Sequence, residues 1–151
     1  MLPDGTRNRR ETEKSLDSSL TKKQLEVLRL RHQGYTQQDV ADMLRTTRPN
    51  IALHEKRAHQ AIERAERTRQ QWMMIRAPIS IKAEAGTDVF DILKMIFTAA
   101  DEKGIKLPVT SLDIIVQLWQ RSPRLFMDKA LEHNAEIFIT KKGEVLVEVE
   151  E

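Results

Sequence analysis

Residues 20–51, LTKKQLEVLRLRHQGYTQQDVADMLRTTRPNI, constrain this chain more than any other stretch, because they repeat one helix grammar within a short span. Thr21 followed three residues later by Gln24 is a capping box, a pairing that satisfies two amides a helix start leaves open. Leu20 and Leu25 flank it as a hydrophobic staple. Leu25, Leu28 and His32 form the expected buried stripe, and Gly34 offers the left-handed conformation in which helices commonly end. Thr36 then caps a second helix with Asp39 at its third position, and Tyr35 staples to Val40. Val40, Ala41 and Leu44 are its buried stripe. Only Arg45, Thr46 and Thr47 precede a third helix that runs to about Met74 without an internal glycine. Two short helices, a tight turn and a further helix make a helix-turn-helix pattern.

The third helix has two faces. Side chains advance about 100° per residue, so with Ile51 inward, Ala58 and Ile62 lie within about 20° of it and Ala65 about 40° away. Pro49, Leu53, Lys56 and Gln60 fall on the opposite side, flanked by Asn50, Ala52 and Arg57, with Arg48 in the first turn. That outward set suits the major groove of double-stranded DNA. Arginine donates twice to guanine, asparagine pairs with adenine, and an apolar side chain meets the thymine methyl. Arg48, Asn50, Ala52, Leu53, Lys56 and Arg57 are the expected base readers. Thr36, Gln37, Thr47 and Gln60 are the expected contacts to the phosphate backbone, which set register. Glu55 points roughly inward, where a lone carboxylate is costly, and expects an ion pair with Arg29 or Arg31. Two starts of this helix remain open. With Thr47 as cap, Pro49 occupies the second helical position and restricts Arg48. With Arg48 as cap, Pro49 takes the first position, where its missing amide costs nothing.

Residues 1–19 are polar and read as a flexible arm in which Arg7, Arg9 and Arg10 are candidates for phosphate contact. Residues 20–76 form the helix-turn-helix domain and residues 77–151 a second domain. Pro78 marks the linker, since proline does not continue a helix. Ile79, Ile81 and Ala83 alternate with polar residues as a half-buried strand. Thr87 is read as the cap of a helix bearing Val89, Leu93, Ile96, Phe97 and Ala100, ended by Gly104. Thr110 and Asp113 form another capping box ahead of LDIIVQLWQ, and RLFMDKALEH reads as a further short helix. EIFIT and EVLVEVE flank Lys141-Lys142-Gly143, a three-residue hairpin with glycine at the left-handed position. The fold class is therefore α+β: an all-α helix-turn-helix domain with a long third helix, then a small α+β domain of about three strands with helices on one face.

Charge divides with the domains. Residues 1–76 hold 16 Lys/Arg against 10 Asp/Glu, a balance of +6, and residues 77–151 hold 9 against 13, a balance of −4. A polyanion contact on the N-terminal side alone fits this split. Cysteine is absent, which excludes disulfides, thiol nucleophiles and thiolate zinc sites. No apolar run reaches the roughly 18 residues of a membrane span, and the charged start lacks the apolar core of a signal peptide, so a cytoplasmic protein without membrane contact is expected. There is no phosphate-binding glycine loop, HExxH or nucleophile elbow. His54 and His59 lie about 140° apart on a helix and face no common metal. His133 stands alone. Asp88 and Asp91 at a helix start are better explained by the macrodipole than as a catalytic pair. No enzyme activity, cofactor or metal is expected.

The run LTKKQLEVLRLRHQGYTQQDVADMLRTTRPNIALHEKRAHQAIERAERT, followed by APISIKAEAGTDVFDILKMIFTAADEKGIKLP, resembles the Tfx family of archaeal DNA-binding transcriptional regulators over roughly residues 20–147. The RPNIALHEKRA helix and the ISIKAEAGTDVFDI junction are its most specific parts. The N-terminal portion is similar, more distantly, to the helix-turn-helix of sigma-factor region 4 and of LuxR-type regulators, whose positions matching Ala52, Leu53 and Lys56 face the bases. Arg45 departs from that pattern, standing where such motifs often carry glycine, and Pro49 is unusual in a recognition helix. The resemblance implies a sequence-specific DNA-binding transcriptional regulator. A homodimer is expected, with a small-molecule effector or the transcription machinery as partner of the C-terminal domain. The apolar residues Ile62, Ala65, Trp72 and Ile75 leave open whether the second half of the third helix is a dimer seam or packs on its own C-terminal domain. The competing function is a protein-interaction adaptor that docks on the transcription machinery through exposed Leu53 and binds DNA weakly.

Overall fold

A computed structural model describes residues 18–150. The expected arm, with Arg7, Arg9 and Arg10, lies outside the described residues except for Ser18 and Ser19. The chain forms two compact units, one ending at Thr68 and one beginning at Arg69. The first unit contains α1 (Lys22–His32), α2 (Gln37–Met43) and most of α3 (Arg48–Arg76), a helix that continues into the second unit.

The N-terminal core is small. Val27, Val40, Ala41 and Ile51 are fully buried, with Leu30 and Leu44 packed against them. Val40, Ala41 and Leu44 thus form the inner stripe of α2 as read. The stripe of α1 does not follow Leu25, Leu28 and His32. Val27 and Leu30, three residues apart, turn inward instead, and His32 is exposed. Each fully buried Val or Ile here contributes roughly 1.5–3 kcal/mol. On α3, Ile51 and Ala58 are buried as expected, but burial then passes to Ala61, while Ile62 is 43% exposed and Ala65 is exposed. With 11 residues in α1 and 7 in α2, these short helices give the later inward positions of α3 nothing in this unit to pack against.

In the second unit β1 (Ile79–Ala83), α4 (Val89–Glu102), α5 (Ser111–Arg121), β4 (Ala135–Ile139) and β5 (Val145–Val149) build the core. The sheet is antiparallel in the order β1-β4-β5, with Ile79 opposite Ile139 and Ile139 opposite Val145. Ile79, Ile81 and Ala83 are buried and Ser80 and Lys82 exposed, the alternation that the strand's period of two requires. One core cluster unites Ile79, Ile137, Ile139 and Val145 of the sheet with Ile92 and Ile96 of α4 and Ile114 and Leu118 of α5. Phe138 and Leu146, opposite each other across β4 and β5, are buried on the other face of the sheet. The β4–β5 turn has Gly143 at φ +85, the left-handed glycine that the three-residue turn calls for.

Two local expectations are corrected. The helix α4 is capped by Asp88, whose carboxylate accepts from the Phe90 amide at 2.8 Å. Thr87 does not cap it, because its hydroxyl is spent on the Glu84 carbonyl at 2.7 Å. RLFMDKALEH is not a helix. It forms a hairpin of β2 (Phe126–Met127) and β3 (Ala130–Leu131), pairing Phe126 with Leu131. Asp128 turns the chain at φ +56, a conformation Asp tolerates better than most residues. Backbone bonds from Val89 to Lys129, Leu131 to Thr87 and Gly86 to Leu131 tie the hairpin to the start of α4. Buried Leu125 and Leu131 anchor it in the core, and together these contacts outweigh local helix propensity.

Candidate nucleic-acid interface

The three N-terminal helices are set by reciprocal caps and closed turns. Thr21 and Gln24 satisfy each other's backbone amides at the start of α1, and Thr36 and Asp39 do so for α2. The α1–α2 turn closes with Tyr35 donating to Leu30 O and Gly34 to Arg31 O, the bonding of a Schellman motif. The α2–α3 turn repeats it, Thr46 donating to Ala41 O at 2.9 Å, but with Arg45 at φ +54 in the glycine position. That conformation costs a non-glycine residue about 1 kcal/mol and holds the exposed Arg45 side chain at the foot of α3.

The start of α3 follows the first of the two open readings. Thr47 Oγ1 accepts from the Asn50 amide at 3.3 Å and Thr47 O from the Ile51 amide at 3.1 Å. Thr47 is the cap residue, and Pro49 takes the second helical position. Its missing amide is one the helix would leave unpaired anyway. Arg48 is exposed at the first position.

The expected base-reading residues separate into two groups. Arg48, Leu53, Lys56 and Arg57 are exposed, and Ala52 is half-buried beside them. Leu53, 42% exposed, is the apolar member of an otherwise polar surface. Among the described residues Arg48, Lys56 and Arg57 form no ion pair, so their charge faces solvent. Asn50 is different: it is half-buried and its side-chain amide donates to Thr46 Oγ1 at 2.8 Å, which turns it back into the α2–α3 turn. Among the expected backbone contacts, Thr36, Thr47 and Gln60 are exposed. The two threonine hydroxyls accept from helix amides and keep a proton to donate. Gln37 is half-buried, and its amide is committed to Glu55 Oε2 at 3.0 Å.

Glu55 is the fastening between the helices. Of the two arginines left open by the sequence, Arg31 is the partner, its Nε donating to both carboxylate oxygens at 3.1 and 3.2 Å. Arg31 also donates to Tyr35 O at 2.9 Å, so one guanidinium joins α1, the first turn and α3. Burial by itself raises the Glu55 carboxyl. Hydrogen bonds from Gln37 and Arg31, with the nearby charges of Arg31 and His59, outweigh it and hold the group below the ordinary glutamate value. Glu55 is thereby engaged by Arg31 and Gln37, while Arg48, Lys56 and Arg57 stay exposed. Sequence reasoning singled out Arg45 at the glycine position of the turn, where the structure gives it a positive φ, but missed Thr46. The spacing of Thr46 and Asn50, four residues apart across a helix start, was the available signal for it.

Among the described residues no group of three His, Cys, Asp or Glu side chains is placed to hold a metal ion, and no helix is long and apolar enough to cross a membrane.

Comparison with known proteins converges on the same class. The family described as "DNA-binding protein, TFX, C-term" matches residues 65–147. A "Putative transcriptional regulatory protein" of Methanocaldococcus jannaschii is 38% identical over 129 residues, covering 85% of this chain and 94% of the relative. A protein of the same designation from Pyrococcus horikoshii is 34% identical over 128 residues, 85% and 88% of the two chains. The "DNA-binding protein Tfx" of Methanothermobacter marburgensis is 25% identical over 130 residues, 86% and 94%. The class is thus that of a family of DNA-binding proteins. This chain belongs to the Tfx family, as its sequence resemblance implied.

Proposed function

We propose that the protein is a sequence-specific transcriptional regulator whose helix-turn-helix lays the first turns of α3 into the major groove. The observation that carries this reading is the exposed, unpaired set Arg48, Lys56 and Arg57 around Leu53, with Glu55 withdrawn to Arg31 and Gln37. In this reading Arg48 and Arg57 contact base edges, Leu53 meets a thymine methyl and Ala52 lets the backbone approach. Thr36, Thr47 and Gln60 bind phosphates. Asn50 and Gln37, engaged with Thr46 and Glu55, stiffen the reading head from within. The names of the relatives support regulation, and a homodimer is proposed with the exposed Ile62 and Ile75 of α3 at its seam. The C-terminal unit then answers to an effector or to the transcription machinery.

The test is a titration of Arg48→Ala and Gln60→Ala against a fragment selected from a random pool and against unselected DNA. Arg48→Ala is expected to cost about 1–3 kcal/mol on the selected fragment and little elsewhere, whereas loss of a phosphate contact weakens both alike. Equal losses for Arg48→Ala on both DNAs remove it from base reading. Absence of binding even at low salt favours an adaptor that uses Leu53 against a protein surface, since phosphate contacts strengthen as salt falls.

A further inference from the structure

The C-terminal unit is acidic over residues 77–151, yet several of its cations converge on one place. A cavity of about 400 Å³ lies between the last turns of α3 and the β4–β5 turn, with Trp72, Met73, Arg76, Lys141, Lys142 and Glu144 in its wall. An adjoining cavity of about 410 Å³ shares Arg76 and Lys141 and adds Lys106. Among the described residues Glu144 is the sole carboxylate in either lining, and it lies 3.8 Å from Arg121 Nη2, which offsets its charge. Among the described residues Lys106, Lys141 and Lys142 form no ion pair. Like charges gathered this way repel unless an anion joins them.

The wall also holds an aromatic surface. Trp72 is 56% exposed, and the Arg76 guanidinium sits 5.8 Å above its ring centroid. Indole paired with guanidinium is a platform on which a planar ring stacks. The lysines stand on a turn that is fixed in advance. Gln117 donates to Gly143 O at 3.0 Å and accepts from the Val145 amide at 2.9 Å. Thr140 and Glu144 close the turn with a backbone bond of 2.9 Å. Gly143 packs so closely that an added Cβ would lie 2.5 Å from Val109 Cγ1. A prefixed turn reduces the ordering cost of binding. Both cavities fall within the roughly 300–1,000 Å³ typical of small-molecule sites.

We propose that this groove binds a small organic anion, a planar ring carrying phosphate, with the ring on Trp72 and the phosphate between Arg76 and the lysines of the turn. Phosphate is the anion favoured because it accepts from several separate donors, and lysine serves it as a point charge. The site stands apart from the proposed reading of DNA and is measured without DNA, so either can fail alone.

The chain has two tryptophans, so full-length protein carrying Trp119→Phe leaves Trp72 as the one indole reporter. Its fluorescence is titrated with AMP, with adenosine as the ring alone and with inorganic phosphate as the charge alone. AMP is expected to give a saturable change, with adenosine and phosphate each at least about tenfold weaker. Adding Lys141→Ala and Lys142→Ala should weaken AMP by about tenfold or more through loss of two charge-assisted contacts. The lysine variants are exposed, and circular dichroism checks that the fold is kept. No saturable response to AMP up to about 10 mM overturns the proposal, as does unchanged affinity in the double lysine variant. Phosphate binding as tightly as AMP overturns the role of the ring.

Discussion

At the scale of single residues, Glu55 and Gly143 illustrate two ways in which one position holds a unit together. Glu55, with its side chain 16% exposed, receives Arg31 and Gln37, and Arg31 is 35% exposed. Glu55→Ala leaves both donors without their acceptor, and after allowance for the partly solvated Arg31 the expected loss is about 1–2 kcal/mol by urea unfolding. The pH dependence has a definite sign. Because the folded carboxyl lies below the unfolded value near 4.5, its contribution is complete above that pH and fades as pH falls through the lower folded value. Asp39 and Asp113, lowered by hydrogen bonds from Thr36 and Thr110, act in the same direction from an unfolded value near 3.8. The urea midpoint of the wild type should therefore fall as pH drops below about 4.5, and Glu55→Ala should lose less over that range. An identical decline in both proteins rules out the Glu55 cluster as a source. Gly143 works through space and backbone together. Gly143→Ala meets Val109 in a left-handed conformation and is expected to cost about 2–4 kcal/mol. Gly34→Ala, at φ +98 with nothing within 4 Å, should cost only about 1 kcal/mol. Comparable losses at the two sites contradict the close packing of the β4–β5 turn.

At the scale of elements, the start of each short helix was legible because a cap is a local event: Thr21 with Gln24, Thr36 with Asp39 and Thr110 with Asp113 each close within four residues. The β4–β5 turn was legible for the same reason, through Gly143. What escaped the sequence depends on distant partners. Gln37 and Asn50 lie at surface positions of a helix wheel, yet Glu55 and Thr46 draw them inward. The inner stripe of α3 was read through Ile62 and Ala65, but it ends at Ala61 because α1 and α2 are too short to cover more. The RLFMDKALEH segment favours helix by composition and becomes β2–β3 because the backbone of residues 86–89 bonds to it. This last difference has a direct test in Asp128→Gly. In a helix interior the change costs a few tenths of a kcal/mol, whereas at φ +56 glycine relieves left-handed strain of about 1 kcal/mol and raises stability. A thermal midpoint lowered by Asp128→Gly contradicts the hairpin. Thr36→Ala, which removes the α2 cap, should cost about 1 kcal/mol, and a loss under half of that would leave the α2 cap without energetic weight.

At the scale of the whole molecule, the +6 and −4 balances of residues 1–76 and 77–151 have consequences that no single contact carries. The split was visible in the sequence. The gathering of Lys106, Lys141 and Lys142 of the acidic part beside Arg76 was not, since it joins three segments far apart in the chain. If the N-terminal unit supplies the polyanion contact, affinity for DNA should fall with salt at a slope of about −0.9 per phosphate neutralised. Removing one exposed cation of α3 should then change the slope, and removing a cation of the acidic unit away from the groove should not. Arg57 is exposed on α3, and Lys94 is an exposed lysine of α4 that lies 4.0 Å from Asp91. With Arg57→Ala the slope on unselected DNA is expected to drop by about one, if Arg57 also meets a phosphate there. With Lys94→Ala it should stay level, because that charge is already offset by Asp91 on its own helix and lies outside the proposed DNA-reading unit. Salt titrations by fluorescence anisotropy read both slopes directly. Equal decreases for the two variants mean that the polyanion is shared between the units and that the charge split does not direct binding. A level slope for both moves the phosphate contacts to other N-terminal cations such as Arg45, whose left-handed conformation holds it at the foot of α3.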